Sequence, residues 1–163
     1  MSEMKKKSKK IKLVITDVDG VLTDGGMYYS SKGEVYKKFN TRDGMGVELL
    51  KKNGIETIFL TKENSKVSQS RAKKLKVKIY SGVQNKEKKL FTICKMLSIE
   101  PKSICYIGDD VNDLSIMKLV GISATPNDGI LEVKKIADLI CKNKGGNGAF
   151  REFADFILKN KLY

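Results

Sequence analysis

The sequence predicts a doubly wound α/β fold, in which a parallel β-sheet has helices on both faces and carries a small β-hairpin flap but no large cap domain. Three observations predict this class. Short β-branched runs typical of buried strands recur along the chain, segments of helical periodicity separate them, and no linker or repeat interrupts the series after Lys12. We therefore expect residues 11–163 to form one domain and the basic residues 1–10 to form a disordered tail.

The predicted elements alternate in a regular order. Residues 11–16 form the first strand, and residues 27–30 and 34–39 flank a Ser-Lys-Gly turn as a β-hairpin. Further strands are predicted at residues 55–60, 77–80, 103–107, 122–124 and 138–141. Helices are predicted at residues 44–53, 65–75, 85–97, 113–119, 129–136 and 149–159. Because strands separated by helices pair in parallel, we expect a Rossmann-like sheet with the hairpin as the exception.

Composition excludes several classes of catalytic site. The chain contains no histidine, which excludes Ser-His-Asp triads, Cys-His dyads and histidine metal sites together. Its three cysteines, Cys94, Cys105 and Cys141, form no CxxC pair and lie in apolar segments. We therefore expect reduced core cysteines rather than disulfides or a zinc site. Catalysis would have to use carboxylates, lysines, hydroxyls and, where needed, a metal ion.

Hydropathy and charge limit the cellular location and the binding partners that we expect for this protein. No apolar run approaches the roughly 20 residues of a membrane-spanning helix, and no secretory signal follows the basic start, so we expect a cytoplasmic protein with no membrane contact. Lys and Arg number 32 against 19 Asp and Glu, a formal charge of +13. The sequence has no basic stripe interleaved with aromatic residues and no zinc-finger or RNA-recognition signature, so nucleic-acid binding is not expected.

Two acidic clusters follow predicted strands. They contain Asp17 and Asp19 after the first strand, and Asp109, Asp110 and Asp113 after the strand at residues 103–107. Ligands of parallel sheets bind beyond the carboxyl ends of the strands, so the two clusters would form one oxygen-ligand site for a hard cation such as Mg²⁺ if their strands are neighbours. A polar turn at the first cluster and a helix N-cap at the second are the structural alternatives.

Two other polar residues lie at expected strand exits. Thr61 follows the strand at residues 55–60 and offers a hydroxyl, while Lys86 begins the helix at residues 85–97 and offers a positive charge. A hydroxyl, an ammonium group and a divalent cation around two aspartates describe a phosphoryl-transfer site. Taken singly, Thr61 also fits the edge of a strand and Lys86 a solvated surface.

Four motifs occur in a fixed order over nearly the whole chain. They are DVDGVLTDG at residues 17–25, Thr61 after an apolar strand, Lys86, and GDDVND at residues 108–113. In this order they resemble the haloacid dehalogenase-like (HAD) phosphohydrolases. KFNTRDG at residues 38–44 and GGNGAFRE at residues 145–152 further resemble the small capless branch, which includes the phosphatases of 3-deoxy-D-manno-octulosonate (KDO) 8-phosphate and of nonulosonate (sialic acid and KDN) 9-phosphates.

This resemblance implies a role for each site residue. Asp17 would attack phosphorus and form an aspartyl-phosphate, and Asp19 would protonate the leaving oxygen and then deprotonate the hydrolytic water. Thr61 and Lys86 would bind the transferring phosphoryl oxygens. The implied Mg²⁺ ligands are the Asp17 carboxylate, the Asp19 backbone carbonyl and Asp109, with Asp110 and Asp113 orienting the ion or reaching it through water.

The same resemblance implies how the site is closed. Capless members are usually homotetramers in which the hairpin and the neighbour's C-terminal segment cover the pocket. The glycine-rich tail here leads to Arg151, which resembles the family's tail arginine near the substrate, and a guanidinium suits the carboxylate of a sugar acid. A flexible turn followed by a helix-surface arginine is the structural alternative.

The resemblance does not decide which sugar acid phosphate is the substrate. KDO 8-phosphate phosphatases commonly show Gly-Arg after the hydroxyl residue, whereas Lys62 and Glu63 follow Thr61 here. Glu63 and Lys74 resemble the pattern of the nonulosonate 9-phosphate phosphatases instead, and we prefer this substrate class from the sequence. A non-catalytic HAD-like binding or regulatory module associated with sugar-acid activation is the alternative, although a binding module has no need of an acid two residues from a nucleophile.

Overall fold

A six-stranded parallel β-sheet forms the centre of the structure, a computed structural model that describes residues 3–162. The strands of the chain are β1 (Leu13–Thr16), β2 (Tyr28–Ser30), β3 (Gly33–Tyr36), β4 (Glu56–Leu60), β5 (Lys78–Tyr80), β6 (Ile104–Ile107), β7 (Ile122–Thr125) and β8 (Leu139–Ile140). The order in the sheet is β5-β4-β1-β6-β7-β8, and β2 and β3 form a separate antiparallel hairpin. The predicted fold class is confirmed, and the described chain contains no large cap domain.

Seven α-helices cover the two faces of the sheet within residues 3–162. They are α1 (Glu3–Lys9), α2 (Thr41–Lys52), α3 (Lys66–Leu75), α4 (Lys86–Leu97), α5 (Leu114–Met117), α6 (Leu131–Lys134) and α7 (Ala149–Leu162). The β1 side chains alternate between two cores: Val14 packs with α2 and α7, while Leu13 and Ile15 pack with α4, α5 and α6. This alternation is the reason why β1 is buried along its whole length.

Side-chain caps fix where three of the helices begin. The side chains of Asn40, Ser65 and Asn85 accept backbone N–H bonds at the starts of α2, α3 and α4, respectively. The cap at Asn40 starts α2 three residues earlier than residue 44, the start that the periodicity predicts. The helix predicted at residues 113–119 is instead a 3₁₀ turn (Val111–Asp113) followed by α5, because Asp110 and Asp113 form a capping box over that turn.

The N-terminal segment differs from the expected disordered tail. Residues 3–9 form α1, in which Ser8 is fully buried and Met4 packs against the core beside α7. The Lys161 ammonium of α7 also donates to the Ile11 carbonyl at 2.7 Å. Lys6 and Lys9 lie exposed on this docked helix, whereas Lys5 and Lys7 are partly buried, a difference that the charge run hides in the sequence. The first two residues of the predicted tail lie outside the described residues.

The three cysteines agree with the sequence-based expectation. Cys94, Cys105 and Cys141 are free and buried. None of the helices in the part of the chain that the structure describes is long and apolar enough to cross a membrane.

Candidate active site

The neighbouring strands β1 and β6 bring the two acidic clusters together. Asp17 follows β1 and donates its backbone N–H to the Ile107 carbonyl at the end of β6 at 3.0 Å, so the two strand ends lie side by side. One carboxylate oxygen from each of Asp17, Asp109 and Asp113 lies within 4.8 Å of the other two. Such a set of hard oxygen donors fits a cation such as Mg²⁺ better than it fits soft metals.

Asp17 and Asp109 line an open pocket of about 140 Å³ at the carboxyl edge of the sheet, and Asp113 lies buried beneath it. Its lining residues are Asp17, Asp19, Thr61, Lys62, Glu63, Asp109, Asp110 and Asn112. The sequence expectation that residues after β1, β4 and β6 share one site therefore corresponds to one cavity in the structure. The remaining predicted site residues lie beneath this pocket or away from it.

Lys86 lies beneath the pocket with its side chain almost fully buried. Its ammonium group contacts Asp17 Oδ2 at 2.8 Å, Asp113 Oδ1 at 2.5 Å and the Tyr106 hydroxyl at 3.1 Å. The Asn85 cap places Lys86 at the first position of α4, which points its side chain at the ends of β1 and β6. A charged group held in this way can interact with anionic oxygens bound above Asp17.

Asp113 organises the loop after β6. Its Oδ1 accepts from the Tyr106 hydroxyl at 2.5 Å, and its Oδ2 accepts the backbone N–H of Asp109 at 2.9 Å and of Asp110 at 3.3 Å. By contrast, Asp109 Oδ1 is buried and has no hydrogen-bond partner among the described residues. The structure therefore makes Asp109 the carboxylate available to a cation and Asp113 the one that holds the loop.

The electrostatics of the cluster favour a bound cation. Burial raises the pKa of Asp17 to about 7, the Asp113 charge adds to this effect, and Lys86 opposes it. Burial raises the pKa of Asp109 to about 8, and the charges of Asp17 and Asp113 add to this effect. Three carboxylates face the single ammonium of Lys86 in this cluster, so a divalent cation would balance the remaining charge.

Asp19 lies at the mouth of the pocket and is held on both of its carboxylate oxygens. The Thr61 hydroxyl donates to Oδ2 at 3.3 Å, and the ammonium group of Lys37 forms a short contact with Oδ1. The next residue, Gly20, has φ +86°, and a Cβ there would lie 2.0 Å from Asp109 Oδ2. Only glycine allows the loop after β1 to pass this close to the second acidic cluster.

Lys37 and Tyr106 are site residues that the sequence reasoning missed. Lys37 follows β3 of the hairpin, and only the two-residue period of a strand distinguishes it from the exposed Lys38. Tyr106 is fully buried within β6, and its apolar neighbours give no sign that its hydroxyl contacts Lys86 and Asp113.

The predicted substrate residues fall into two groups. Glu63 lines the pocket beside Thr61, whereas Lys74 and Arg151 are absent from the described residues that line it. Lys74 is exposed on α3, and the Arg151 guanidinium pairs with Asp155 on α7 at 2.9 Å beside a different surface cavity. Within one chain, these two residues do not reach the carboxylate cluster.

The glycine-rich tail before α7 packs on the loop after β1. A Cβ at Gly145 would lie 1.8 Å from the Gly20 carbonyl oxygen, and the Gly146 N–H donates to the Val21 carbonyl at 2.9 Å. The tail is therefore a backbone-to-backbone support for the loop that carries Asp19, rather than the flexible turn weighed from the sequence.

Comparison with known proteins places this fold and site in a family. A family model described as haloacid dehalogenase-like hydrolase matches residues 31–153. The chain therefore belongs to the haloacid dehalogenase-like hydrolases.

Similar proteins of known name indicate which class of hydrolase the chain belongs to. The 3-deoxy-D-manno-octulosonate 8-phosphate phosphatase of Haemophilus influenzae is 38% identical over 157 residues, which cover 96% of this chain and 87% of that protein. The solved structure of the Moraxella catarrhalis phosphatase of the same name, in complex with magnesium, phosphate and KDO, is 38% identical with a TM-score of 0.94, and the match covers 99% of this chain and 93% of that one.

The cobalt-bound structure of the Haemophilus influenzae phosphatase is also similar, with 37% identity and a TM-score of 0.92 over 95% of this chain and 91% of that one. Family and relatives together define the chain as an enzyme of the phosphoric monoester hydrolase class.

Proposed function

We propose that this enzyme removes the terminal phosphate of a 2-keto-3-deoxy sugar acid, with Mg²⁺ as cofactor and an aspartyl-phosphate intermediate. The observation that carries the proposal is the meeting of Asp17, Asp109, Thr61 and Lys86 at the carboxyl ends of β1, β4 and β6. A nucleophile, a cation site and two donors for phosphoryl oxygens are what such a transfer needs.

In the first step, an Asp17 carboxylate oxygen forms a bond to phosphorus while the bond from phosphorus to the sugar oxygen breaks. Asp19 gives its proton to that leaving oxygen. Asp17 is held for the attack because its Oδ1 accepts the Val18 N–H at 2.7 Å and its Oδ2 faces Lys86. The Lys86 ammonium and the Thr61 hydroxyl bind the equatorial phosphoryl oxygens.

In the second step, Asp19 takes a proton from water, the water oxygen bonds to phosphorus, and the bond to Asp17 breaks to release phosphate. This reversal of roles suits a carboxylate held at the mouth of the pocket, where solvent reaches it. Mg²⁺ at the Asp17 and Asp109 carboxylates and the Asp19 carbonyl would neutralise phosphoryl charge. The magnesium and cobalt complexes of similar phosphatases support this ion class.

KDO 8-phosphate is the substrate that the relatives support, because the similar phosphatases carry that name. A nonulosonate 9-phosphate is the second candidate, and the position of Glu63 in the pocket next to Thr61 favours it. A carboxylate there can accept hydrogen bonds from hydroxyls of a longer sugar chain, whereas it repels the acid end of a shorter one.

A homotetramer is the assembly that we propose for the working enzyme. The hairpin exposes a set of large apolar side chains, namely Met27, Tyr28, Tyr29, Val35 and Tyr36. Such a patch is unusual on a monomer. Because Arg151 lies away from the pocket of its own chain, a neighbouring chain is the natural source of a guanidinium for the substrate carboxylate. We place the enzyme in the cytoplasm, which the three free, buried cysteines support.

Phosphate release tests the proposal. Wild-type protein, Asp17→Asn and the control Glu56→Gln, an exposed carboxylate at the amino end of β4, are assayed with KDO 8-phosphate, a sialic acid 9-phosphate and p-nitrophenyl phosphate, with Mg²⁺ and then with excess EDTA. We expect metal-dependent turnover of one sugar acid that Asp17→Asn abolishes and Glu56→Gln retains. Absence of turnover on all three esters would instead favour the non-catalytic binding or regulatory module.

A further inference from the structure

Lys37, a buried lysine at the end of the hairpin, contacts the Asp19 carboxylate at the mouth of the pocket. The Lys37 side chain has no exposed surface, although its neighbours Tyr36 and Lys38 are both exposed. Its ammonium group lies between two carboxylates, in short contact with Asp19 Oδ1 and 3.1 Å from Glu34 Oε1. A lysine is rarely buried so completely unless it is paired in this way.

A second contact fixes Glu34 in turn. Glu34 Oε2 accepts a hydrogen bond from the Ser65 hydroxyl at 2.5 Å, and Ser65 Oγ accepts the Ser68 N–H at 3.1 Å as the N-cap of α3. The hairpin, the loop after β1 and the start of α3 are thus tied through one chain of polar contacts within a single subunit. Its terminal member on the pocket side is the Asp19 carboxylate.

We propose that Lys37 is a positioning residue that aims the Asp19 carboxylate at the leaving-group oxygen, and that Glu34 holds Lys37 in place. The inference rests on the proposed function, which gives Asp19 the acid and base role. Lys37 fixes Oδ1 and so sets the orientation of the carboxylate, with Oδ2 directed at the Thr61 hydroxyl. When substrate binds, that hydroxyl donates to a phosphoryl oxygen, and the contact with Lys37 keeps the orientation. Lys37 is not among the described residues that line the pocket, and it acts through Asp19 rather than on the substrate.

Two esters that differ in their need for an acid test this inference. An alkyl phosphate such as the sugar acid phosphate needs a proton on its leaving oxygen, whereas 2,4-dinitrophenolate leaves without one. The value of kcat/KM reports the first transfer step for both esters. We expect Lys37→Met to lower kcat/KM about a hundredfold for the sugar acid phosphate and less than about threefold for 2,4-dinitrophenyl phosphate.

Matched variants separate this role from a structural one. We expect Glu34→Gln to lower kcat/KM for the sugar acid phosphate selectively, and by less than Lys37→Met does. Lys37→Arg should retain part of the activity that Lys37→Met loses. Lys38→Met, at the exposed neighbouring residue, should leave kcat/KM unchanged for both esters. An equal loss on both esters in Lys37→Met, or a loss no larger than in Lys38→Met, would overturn the inference. A wild-type protein inactive on both esters would overturn the proposed function and this inference with it, whereas an active wild type with unselective variants overturns the inference alone.

Discussion

At the scale of single residues, the charge of Lys86 determines whether the buried carboxylates beneath the pocket can stay ionised. Burial would lower the pKa of this lysine, but the Asp17 and Asp113 carboxylates outweigh burial and raise it. Lys86 therefore remains an ammonium at neutral pH and offsets two carboxylates that have almost no exposed surface. Under the proposed function the same group also binds phosphoryl oxygens, so its removal is expected to affect both stability and activity.

Replacing Lys86 with Met tests that double role. The change leaves Asp17 and Asp113 buried without their cation, and breaking such a pair costs about 3 kcal/mol of unfolding free energy. We expect this loss in urea denaturation, together with a fall in phosphatase activity of at least about a thousandfold. Lys88 is exposed on α4 two residues after Lys86, and the control Lys88→Met should match wild type in both measurements. Wild-type stability in Lys86→Met would contradict this account of the pocket floor.

The sequence locates some of these residues and misses others for a physical reason. Asp17, Thr61 and Asp109 could be located because the carboxyl ends of parallel strands meet at one edge, which topology alone determines. Lys37 could not, because its contact with Asp19 depends on how the hairpin folds back over the sheet. That angle depends on tertiary packing, which leaves no periodic pattern in the sequence.

At the scale of elements, a buried carboxylate joins the two helices that cover one face of the sheet. Asp43 in the first turn of α2 accepts the backbone N–H of Arg151 in the first turn of α7 at 2.9 Å through Oδ1. Its other oxygen is buried and has no hydrogen-bond partner among the described residues. Burial raises the pKa of Asp43 to about 6, and the backbone N–H groups only partly oppose this.

The raised pKa of Asp43 makes stability depend on pH in a defined direction. Between about pH 4 and 6 the unfolded carboxyl group is ionised while the folded one keeps its proton, so the unfolding free energy falls as pH rises through this window. The loss amounts to about 3 kcal/mol and is complete above that window. Asp43→Asn can still accept from Arg151 but does not ionise.

Chemical denaturation at pH 4.5, 5.5 and 7 measures this effect. The unfolding free energy of Asp43→Asn relative to wild type should rise by about 2 kcal/mol across the series, since about 1 kcal/mol of the loss in wild type occurs below pH 4.5. The constant offset from the amide does not affect this change. Asp155→Asn, an exposed carboxylate on the same helix α7, should show a flat difference. A flat difference for Asp43→Asn as well would refute a raised pKa at this position.

At the scale of the whole molecule, the charge of +13 opposes folding by self-repulsion. Exposed lysines are screened by salt, whereas the buried contacts of Lys37 and Lys86 are screened much less. We therefore expect the melting temperature to rise by a few degrees between 0.05 and 0.3 M NaCl, as followed by scanning calorimetry. Chloride is the right probe, since sulfate or phosphate would bind the active site. A melting temperature that falls with salt would show that surface ion pairs outweigh the repulsion.

The proposed tetramer predicts that the exposed hairpin both joins the chains and completes the active site. If hairpins and tails close neighbouring sites, a charge placed on the hairpin must dissociate the tetramer and weaken sugar acid binding together. Tyr29 suits this test because its side chain is 62% exposed and, unlike Tyr28 and Tyr36, takes no part in the ring stack of the hairpin.

We expect light scattering to give four chain masses for wild type and a smaller species for Tyr29→Lys. The same variant should show a higher KM for the sugar acid phosphate. Its KM for p-nitrophenyl phosphate should be unchanged, because this ester has no carboxylate to bind. Leu131→Lys is the control, since this side chain is 70% exposed on α6, outside the hairpin. A tetrameric Tyr29→Lys would exclude the hairpin from the interface, and a monomeric wild type with full activity would remove any need for the Arg151 of a second chain.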